Sequence, residues 1–532
     1  MESQIMLEQI NSLNAEVFTA FNQIPYNLLS QEVEGSISGL LSELTEIQKL
    51  YNIYNNGSKF IVEGTNGDYV PAQLRYKLAS SLVNKQARFL FAEAPDILVE
   101  PKGDVGKVTA QSKDALTVLN DLVGTVLDHN QFESMLIKAA RDCFIGKRVA
   151  GMVNFNEEDG ITITFLPALQ FIYETKLGNQ NVLTRFTAFM IVQDSVKNQD
   201  RKILRKRFTL EDDGYVWIQE DMFDGAGNLI EAVTPKQETL LNVIPANVFL
   251  NDGLSGDTKG ESEIDLLNEF ESWYSKLANA DADAERKAMN SIRYTIDMDS
   301  NSTRNLKSGA GAYWDLQSDQ NLDKANPSVG LLENSMSYSP ALKTTLDRIK
   351  SVAFDQIDMP IVSLDTMSGT ITTGKALKAI YWPLIVRCKE KMKTWGPGLA
   401  NLVSIIIEGA LTYPNTASMY ISDTLLPVEY EIKIDQNHPL PEDEMEEKNI
   451  DLMEVAAQTM SRKAYMQKWR GLTNDQSNEE LNQIALERQL LQDSAFTGLS
   501  DATVESIEGK LEWGSEEVDV ENSGVAFNTA EN

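Results

Sequence analysis

Residues 260–277 read GESEIDLLNEFESWYSKL and carry the signals for the start of a helix. Ser262 can cap the first turn, and Asp265, three positions later, completes a capping box. The apolar positions that follow at helical spacing are Leu267, Phe270, Tyr274 and Leu277. The sequence therefore predicts a helix that begins at Ser262. Acids then replace the apolar positions at Asp281, Asp283 and Glu285, which indicates that the helix continues into solvent or along a channel.

A second helix is predicted to begin at Ser339-Pro340, because proline is favoured at the first helical position, where its missing N–H costs nothing. Its apolar face comprises Leu342, Leu346, Ile349, Ala353 and Ile357. Between the two helices, residues 292–298 and 312–316 are predicted strands. The order is therefore helix, small β insertion, returning helix.

Small and polar residues fill positions 363–374, and a long helix is predicted to follow from Lys375. Between Lys375 and Lys393 there are six basic residues and one acid. Pro383 is expected to kink this helix, and residues 395–398 (WGPG) are expected to break it before another helix at 399–410.

The N-terminal half changes from helical to strand periodicity near residue 147. Helices are predicted at 1–55, 72–91 and 115–145, and strands at 97–99, 149–153, 161–165, 186–192, 215–218 and, much later, 428–434. Residues 201–207 form a basic run that is interpreted either as a solvated strand or as a phosphate contact.

The charge of the chain is strongly unbalanced. Its 532 residues include 79 Asp and Glu against 47 Lys and Arg, a formal charge of −32. Such a surface repels phosphates and anionic lipids unless positive charge is concentrated locally. The longest apolar stretch, 399–411, is too short to cross a bilayer, and the start of the chain does not resemble a signal peptide. With two Cys and two His, we expect an intracellular protein without a disulfide framework, metal site or membrane segment.

No catalytic constellation rises above chance among so many acids. Residues 369–376 (GTITTGKA) match a phosphate-binding loop except at Ala376, which lacks the hydroxyl that coordinates Mg²⁺. Asp297-x-Asp299-x-Asn301 begins like a calcium loop, but Ser308 stands where a bidentate Glu is needed. We therefore expect no enzyme activity and no cofactor.

Over about residues 40–490 the chain resembles the portal proteins of tailed bacteriophages, particularly the long-tailed type. The stretches that carry the resemblance are 50–59 (LYNIYNNGSK), 88–95 (RFLFAEAP), 244–249 (IPANVF), 260–264 (GESEI) and 367–381 (MSGTITTGKALKAIY). One departure is the Thr-rich insert between Gly369 and Lys375, where relatives often run directly into the helix.

The resemblance implies an α+β subunit of a ring, commonly of twelve copies, at one vertex of the capsid. The expected parts, in chain order, are a wing (1–255), a first stem helix (256–291), a clip (292–338), a second stem helix (339–362), a channel loop (363–374), a kinked wing helix with a returning strand (375–435), crown helices (436–495) and an acidic, disordered tail (496–532).

The same resemblance implies a virion protein, assembled in the host cytoplasm, that conducts double-stranded DNA during packaging and ejection. Expected partners are the terminase large subunit, a head-completion adaptor, the major capsid and scaffold proteins, and weakly bound DNA without sequence specificity. Candidate DNA contacts are Asp365, Thr366, Ser368, Thr370, Thr372, Thr373, Lys375 and Lys378. Candidate docking residues of the clip are Asn301, Arg304, Lys307, Tyr313 and Trp314. The alternatives are an acidic scaffold protein that forms no ring and, less favoured, a packaging nucleotidase.

Overall fold

The structure is a computed structural model of the chain. It describes residues 24–32, 38–58, 71–102, 110–193, 200–251, 259–289, 292–299, 317–321, 326, 328–332, 336–362, 374–422, 424–437 and 444–496. The chain divides into two units, 1–440 and 441–532. Both helices and strands are abundant, as the predicted α+β class requires.

The helices of the first unit are α1 (Tyr26–Leu29), α2 (Ser38–Asn56), α3 (Leu78–Phe91), α4 (Ala110–His129), α5 (Phe132–Gly146), α6 (Glu263–Met289), α7 (Ser339–Asp355), α8 (Gly374–Ile380), α9 (Trp382–Thr412) and α10 (Pro414–Ala417). The second unit contains α11 (Glu444–Ala456), α12 (Arg462–Arg470) and α13 (Asn474–Phe496). In α12, the Ser461 hydroxyl caps the N-terminus by accepting from the Ala464 N–H, and Gly471 ends the helix at a φ of +61°.

The strands are β1 (Asp96–Pro101), β2 (Arg148–Asn156), β3 (Gly160–Pro167), β4 (Phe171–Lys176), β5 (Asn179–Gln193), β6 (Lys202–Leu210), β7 (Val216–Asp224), β8 (Leu229–Glu238), β9 (Ala246–Leu250), β10 (Ile292–Ile296), β11 (Ser328–Leu332) and β12 (Tyr430–Asp435). All pairings among them are antiparallel. They form the sheets β3-β2-β9, β4-β5-β6-β7-β8, β1-β12 and β10-β11. The strands predicted at 97–99, 149–153, 161–165, 186–192, 215–218 and 428–434 each overlap one of these strands, so these strand predictions are confirmed.

The main core lies where α5 and α9 pack on sheet β3-β2-β9. Trp395 of α9 is buried, with its ring stacked on Phe249 of β9 at a centroid distance of 4.5 Å and edge-on to Phe91 of α3 at 5.1 Å. Such aromatic pairs stabilise beyond the apolar area that they bury.

The predicted break at 395–398 is wrong, because α9 runs unbroken from Trp382 to Thr412 through Pro397. Pro397 has no N–H and so cannot donate the backbone hydrogen bond that a helix normally has at this position. Burial of Trp395 and Leu399 on either side of the proline offsets this loss. The predicted kink at Pro383 is confirmed as a break, since α8 ends at Ile380 and α9 begins at Trp382.

The helical stretch predicted at 115–145 is confirmed and comprises two helices, α4 and α5, divided at Asn130-Gln131. Gln131 adopts a left-handed φ of +52°, a conformation that no continuous right-handed helix permits.

The basic run at 201–207 forms β6, and neither interpretation offered for it holds at its centre. Arg205 is 5% exposed and binds Asp221 at 2.5 Å, while the carboxylate of Glu32, itself 1% exposed, accepts from both Arg205 and Arg207. These arginines therefore form internal ion pairs. Their shared partner, Glu32, lies far upstream in the sequence.

Two glycines of α9 test the packing of this helix against β9. A Cβ at Gly398 would overlap the buried Phe249 ring, whereas a Cβ at Gly396 meets nothing within 4 Å. Gly396→Ala is therefore expected to raise the free energy of unfolding by about 0.5–1 kcal/mol, through helix propensity alone. Gly398→Ala is expected to lower it by about 1–3 kcal/mol, through overpacking. Denaturant unfolding of both variants measures this, and two shifts of the same sign would contradict the packing described.

Candidate functional site

Helices α6 and α7, with the hairpin β10-β11 between them, form the predicted helix–β–helix unit. Helix α6 has 27 residues, which corresponds to a length of about 40 Å. The two helices pack against each other, and the Tyr338 hydroxyl, just before α7, donates to Asp281 of α6 at 3.3 Å. Ile292 pairs with Leu332, so the hairpin begins within a few residues of both helices.

One face of α6 binds main chain with a row of polar side chains spaced by four residues. Glu271 accepts from the N–H groups of Ser58 and Ala79 at 2.6 and 2.7 Å. The next three members of the row accept the N–H groups of Tyr76, Leu74 and Ala72; these members are Ser275, Asn279 and Asp283. The spacing of these side chains along α6 matches the spacing of the N–H groups along the bound segment. Four helical residues rise about 6 Å, and two extended residues span about 6.6 Å.

This row corrects two predictions. Residues 71–77 are extended along α6, so α3 begins at Leu78 rather than at 72. Asp283 does not simply face solvent or a channel, since its carboxylate holds the N–H of Ala72 at 2.9 Å. The Glu271 carboxylate also lies at the N-terminus of α3, where unpaired N–H groups favour negative charge.

A buried ionic cluster, here called the anchor cluster, joins α6, α7 and α9. The Glu263 carboxylate, 3% exposed, accepts from Lys391 at 2.8 Å and from Arg387 at 2.9 Å. Arg387 also reaches Asp358, which follows α7, at 3.3 Å, and Lys391 donates to Asn251 at 2.7 Å. The cluster thus fixes the start of α6 and the end of α7 on the long helix α9.

Burial alone would raise the pKa of Glu263. The charges of Lys391 and Arg387, with their hydrogen bonds, outweigh burial and lower this pKa to about 2. The carboxylate is therefore ionised at every pH at which the protein is expected to work.

The structure describes two of the eight candidate DNA contacts and none of the five clip candidates. Asp365, Thr366, Ser368, Thr370, Thr372 and Thr373 lie outside the described residues. Lys375 and Lys378 are on α8, where Lys378 is exposed and only the backbone of Lys375 is described. The clip candidates Asn301, Arg304, Lys307, Tyr313 and Trp314 also lie outside the described residues.

A basic cleft that the sequence did not predict includes Val362, the last described residue before the predicted loop. The cleft, of about 480 Å³, is lined by Lys85 and Arg88 of α3, by Lys350 and Phe354 of α7, and by residues up to Val362. The ammonium groups of Lys85 and Lys350 lie 5.3 and 5.9 Å from the centre of the Phe354 ring. The spacing of Lys85 and Arg88 by three residues on one helix was the available signal. These cations can attract an anion such as a phosphate.

Within the described residues, no three His, Cys, Asp or Glu side chains are grouped so as to hold a metal ion. No helix in this part of the chain is long and apolar enough to span a bilayer. Cys143 and Cys388 are both buried.

One protein-family model matches most of the chain, and the matched residues include the whole helix–β–helix unit. The family model described as "Phage portal protein, SPP1 Gp6-like" matches residues 36–493. No curated protein matches the chain.

The anchor cluster is tested by Glu263→Gln, which leaves Lys391 buried without its charged partner. We expect the free energy of unfolding at pH 7 to fall by about 3–5 kcal/mol. Because the pKa of Glu263 is lowered to about 2 in the folded state, its stabilisation is complete above the ordinary carboxyl pKa and is lost as pH falls towards 2. The difference between wild type and variant should therefore shrink from pH 5 towards pH 2.

The matched control is Glu285→Gln, an exposed position on the same helix, for which a change within about 0.5 kcal/mol is expected. Equal effects of the two substitutions in denaturant unfolding would contradict a structural role for the anchor cluster.

Proposed function

Because the chain belongs to the phage portal protein family of the SPP1 Gp6-like type, we propose that it forms a ring, of twelve copies, at one vertex of a bacteriophage capsid. Double-stranded DNA passes through this ring during packaging and ejection. The role is structural, with no catalytic activity, and the ring assembles in the host cytoplasm together with the major capsid and scaffold proteins.

The observation that carries this proposal is the helix–β–helix unit within the family match. Helices α6 and α7 are stem helices, the hairpin between them belongs to the clip, α8 and α9 form the interrupted wing helix, and α11 to α13 are crown helices. In this proposal the packed helices α6 and α7 form a stalk, and the pair β10-β11, which follows α6 and precedes α7, is the small β module that the stalk carries.

The charge of the chain suits a conduit for DNA. Each copy brings a formal charge of −32. Walls that bound phosphates tightly would hold the duplex rather than let it pass, and at physiological salt wall charges act over only about 8 Å. The contacts with DNA are therefore weak and independent of sequence. Lys375, Lys378 and the loop before them provide these contacts, and the basic cleft at the base of the loop supports this placement.

The clip docks the terminase large subunit and later the head-completion adaptor. The described part of the hairpin supports this role, because large apolar side chains remain exposed on it: Tyr294 at 43%, Ile296 at 47% and Val329 at 48%. Exposed apolar side chains on a small module are typical of a surface that a partner covers. The predicted residues Asn301, Arg304, Lys307, Tyr313 and Trp314 would extend this surface.

Deletion of residues 292–338 with a short Gly-Ser replacement is expected to leave ring formation intact and to abolish docking of motor and adaptor. The milder double variant Tyr294→Ser, Ile296→Ser is expected to weaken docking without loss of the rings. Rings are scored by electron microscopy, and docking by co-purification and by packaging into capsids built with the variant. Val233→Ser, at a side chain 46% exposed on β8, is the control. A deletion variant that still packages DNA would contradict the clip assignment.

Charge reversal at Lys375→Glu together with Lys378→Glu is expected to lower the rate of DNA packaging severalfold while rings still form, because like charges then face the phosphates. Lys202→Glu, on an exposed lysine of β6, is expected to package normally. An unchanged rate in the double variant across a series of salt concentrations would rule out the proposed DNA contact.

A further inference from the structure

Helix α6 exposes an apolar and acidic face, called here the acidic stripe, made of Asp265, Leu266, Glu269 and Trp273. Leu266 is 41% exposed and Trp273 is 56% exposed. These positions span a little more than two turns, on the helix face opposite Leu267, Glu271 and Ser275, which are buried. One basic residue, Lys276, borders the stripe.

Helix α9 exposes an apolar and basic face near its start, called here the basic stripe, made of Trp382, Val386, Lys389 and Lys393. Trp382 is 58% exposed and Val386 is 38% exposed. The Lys389 ammonium lies 5.8 Å from the centre of the Trp382 ring, so charge and apolar surface form one patch. The spacing of four, three and four residues places the stripe opposite the buried residues Leu384, Cys388 and Lys391. One acid, Glu390, borders it.

One copy cannot pair its own two stripes. Both helices bury their other faces in a single hydrophobic core, which includes Ile264 and Leu267 of α6 and Leu384 and Cys388 of α9. Glu263 and Lys391 are also in direct contact. Each stripe therefore faces outward from a shared core, and both remain open to solvent.

We propose that the acidic stripe of one copy packs against the basic stripe of the next copy, and that this contact closes the ring. The inference rests on the proposed ring, to which it adds the two surfaces that meet. A contact between two different surfaces of identical subunits repeats head to tail and closes when the rotation permits. The stripes match in charge, and each has a tryptophan, a residue type that dominates binding energy at interfaces.

The basic stripe is a worse fit to DNA than to a neighbouring subunit. Phosphates would engage Lys389 and Lys393 but would leave Trp382 and Val386 in water. A protein partner buries the apolar side chains and the charges together, and the acidic stripe presents Leu266 and Trp273 for this purpose.

The test uses Glu269→Lys and Lys389→Glu in the full-length protein, separately and as an equimolar mixture. Each variant alone places like charges at every contact and is expected to lower the ring fraction by more than about tenfold. In the mixture, copies of the two variants can alternate around the ring. At one contact the two introduced side chains, which are opposite in charge, then meet. At the next contact the native Glu269 of one copy meets the native Lys389 of the other. The mixture is therefore expected to restore rings that contain equal numbers of the two variants, as measured by native mass spectrometry. Glu231→Lys on β8 is the control and is expected to assemble as wild type.

Thermal melting confirms that each variant is folded before mixing. If wild type and both single variants form rings equally well, the stripe contact is overturned while the proposed ring stands. If the variants form rings but package DNA slowly, the basic stripe serves DNA and the proposal is likewise overturned. If folded variants fail to restore rings on mixing, the pairing of these two stripes is wrong. A wild-type protein that forms no rings under any condition overturns the proposed function itself.

Discussion

The rest of the structure depends on the buried carboxylate of Glu263, held between Lys391 and Arg387. A buried ion pair contributes little net stability compared with apolar packing, but removal of one partner leaves an uncompensated charge. The main effect of the ion pairs of Glu263 is to fix the positions of the helices that they join. Because Arg387 also binds Asp358, one cluster sets where α6 leaves the core and where α7 returns to it. The stalk formed by these two helices, and the hairpin that it carries, follow from this fixed base.

Beyond the base, polar contacts rather than a deep apolar core hold the stalk. The row from Glu271 to Asp283 binds the extended segment 71–77 and the first turn of α3. Main-chain N–H groups therefore contact the side of α6 that an apolar core would normally cover. Much of the apolar surface of α7 is only half-buried, including Leu342 and Leu346. This arrangement leaves apolar surface of α7 partly exposed, which is consistent with the proposed ring.

Local patterns in the sequence predicted much of the fold, because helix starts and strand alternation depend on residues that are close together in the sequence. The start of α6 at Ser262 and the strands between residues 149 and 218 were predictable for this reason. The unbroken path of α9 through Pro397 was not, since it depends on Trp395 meeting Phe249 of a distant strand. The burial of Arg205 was also not predictable, because its partner Glu32 lies in a distant part of the sequence. Of the candidate site, the loop and clip side chains remain predictions, whereas the anchor cluster and the basic cleft required three-dimensional contacts to be found.

The proposed function requires that this chain form a ring with a passage through it. Electron microscopy of the purified full-length protein, with native mass measured on the same sample, shows whether such rings exist. We expect closed rings of about twelve copies with a central hole. A protein that stays a monodisperse monomer, even when it is expressed together with its scaffold and capsid proteins, would contradict the proposed function.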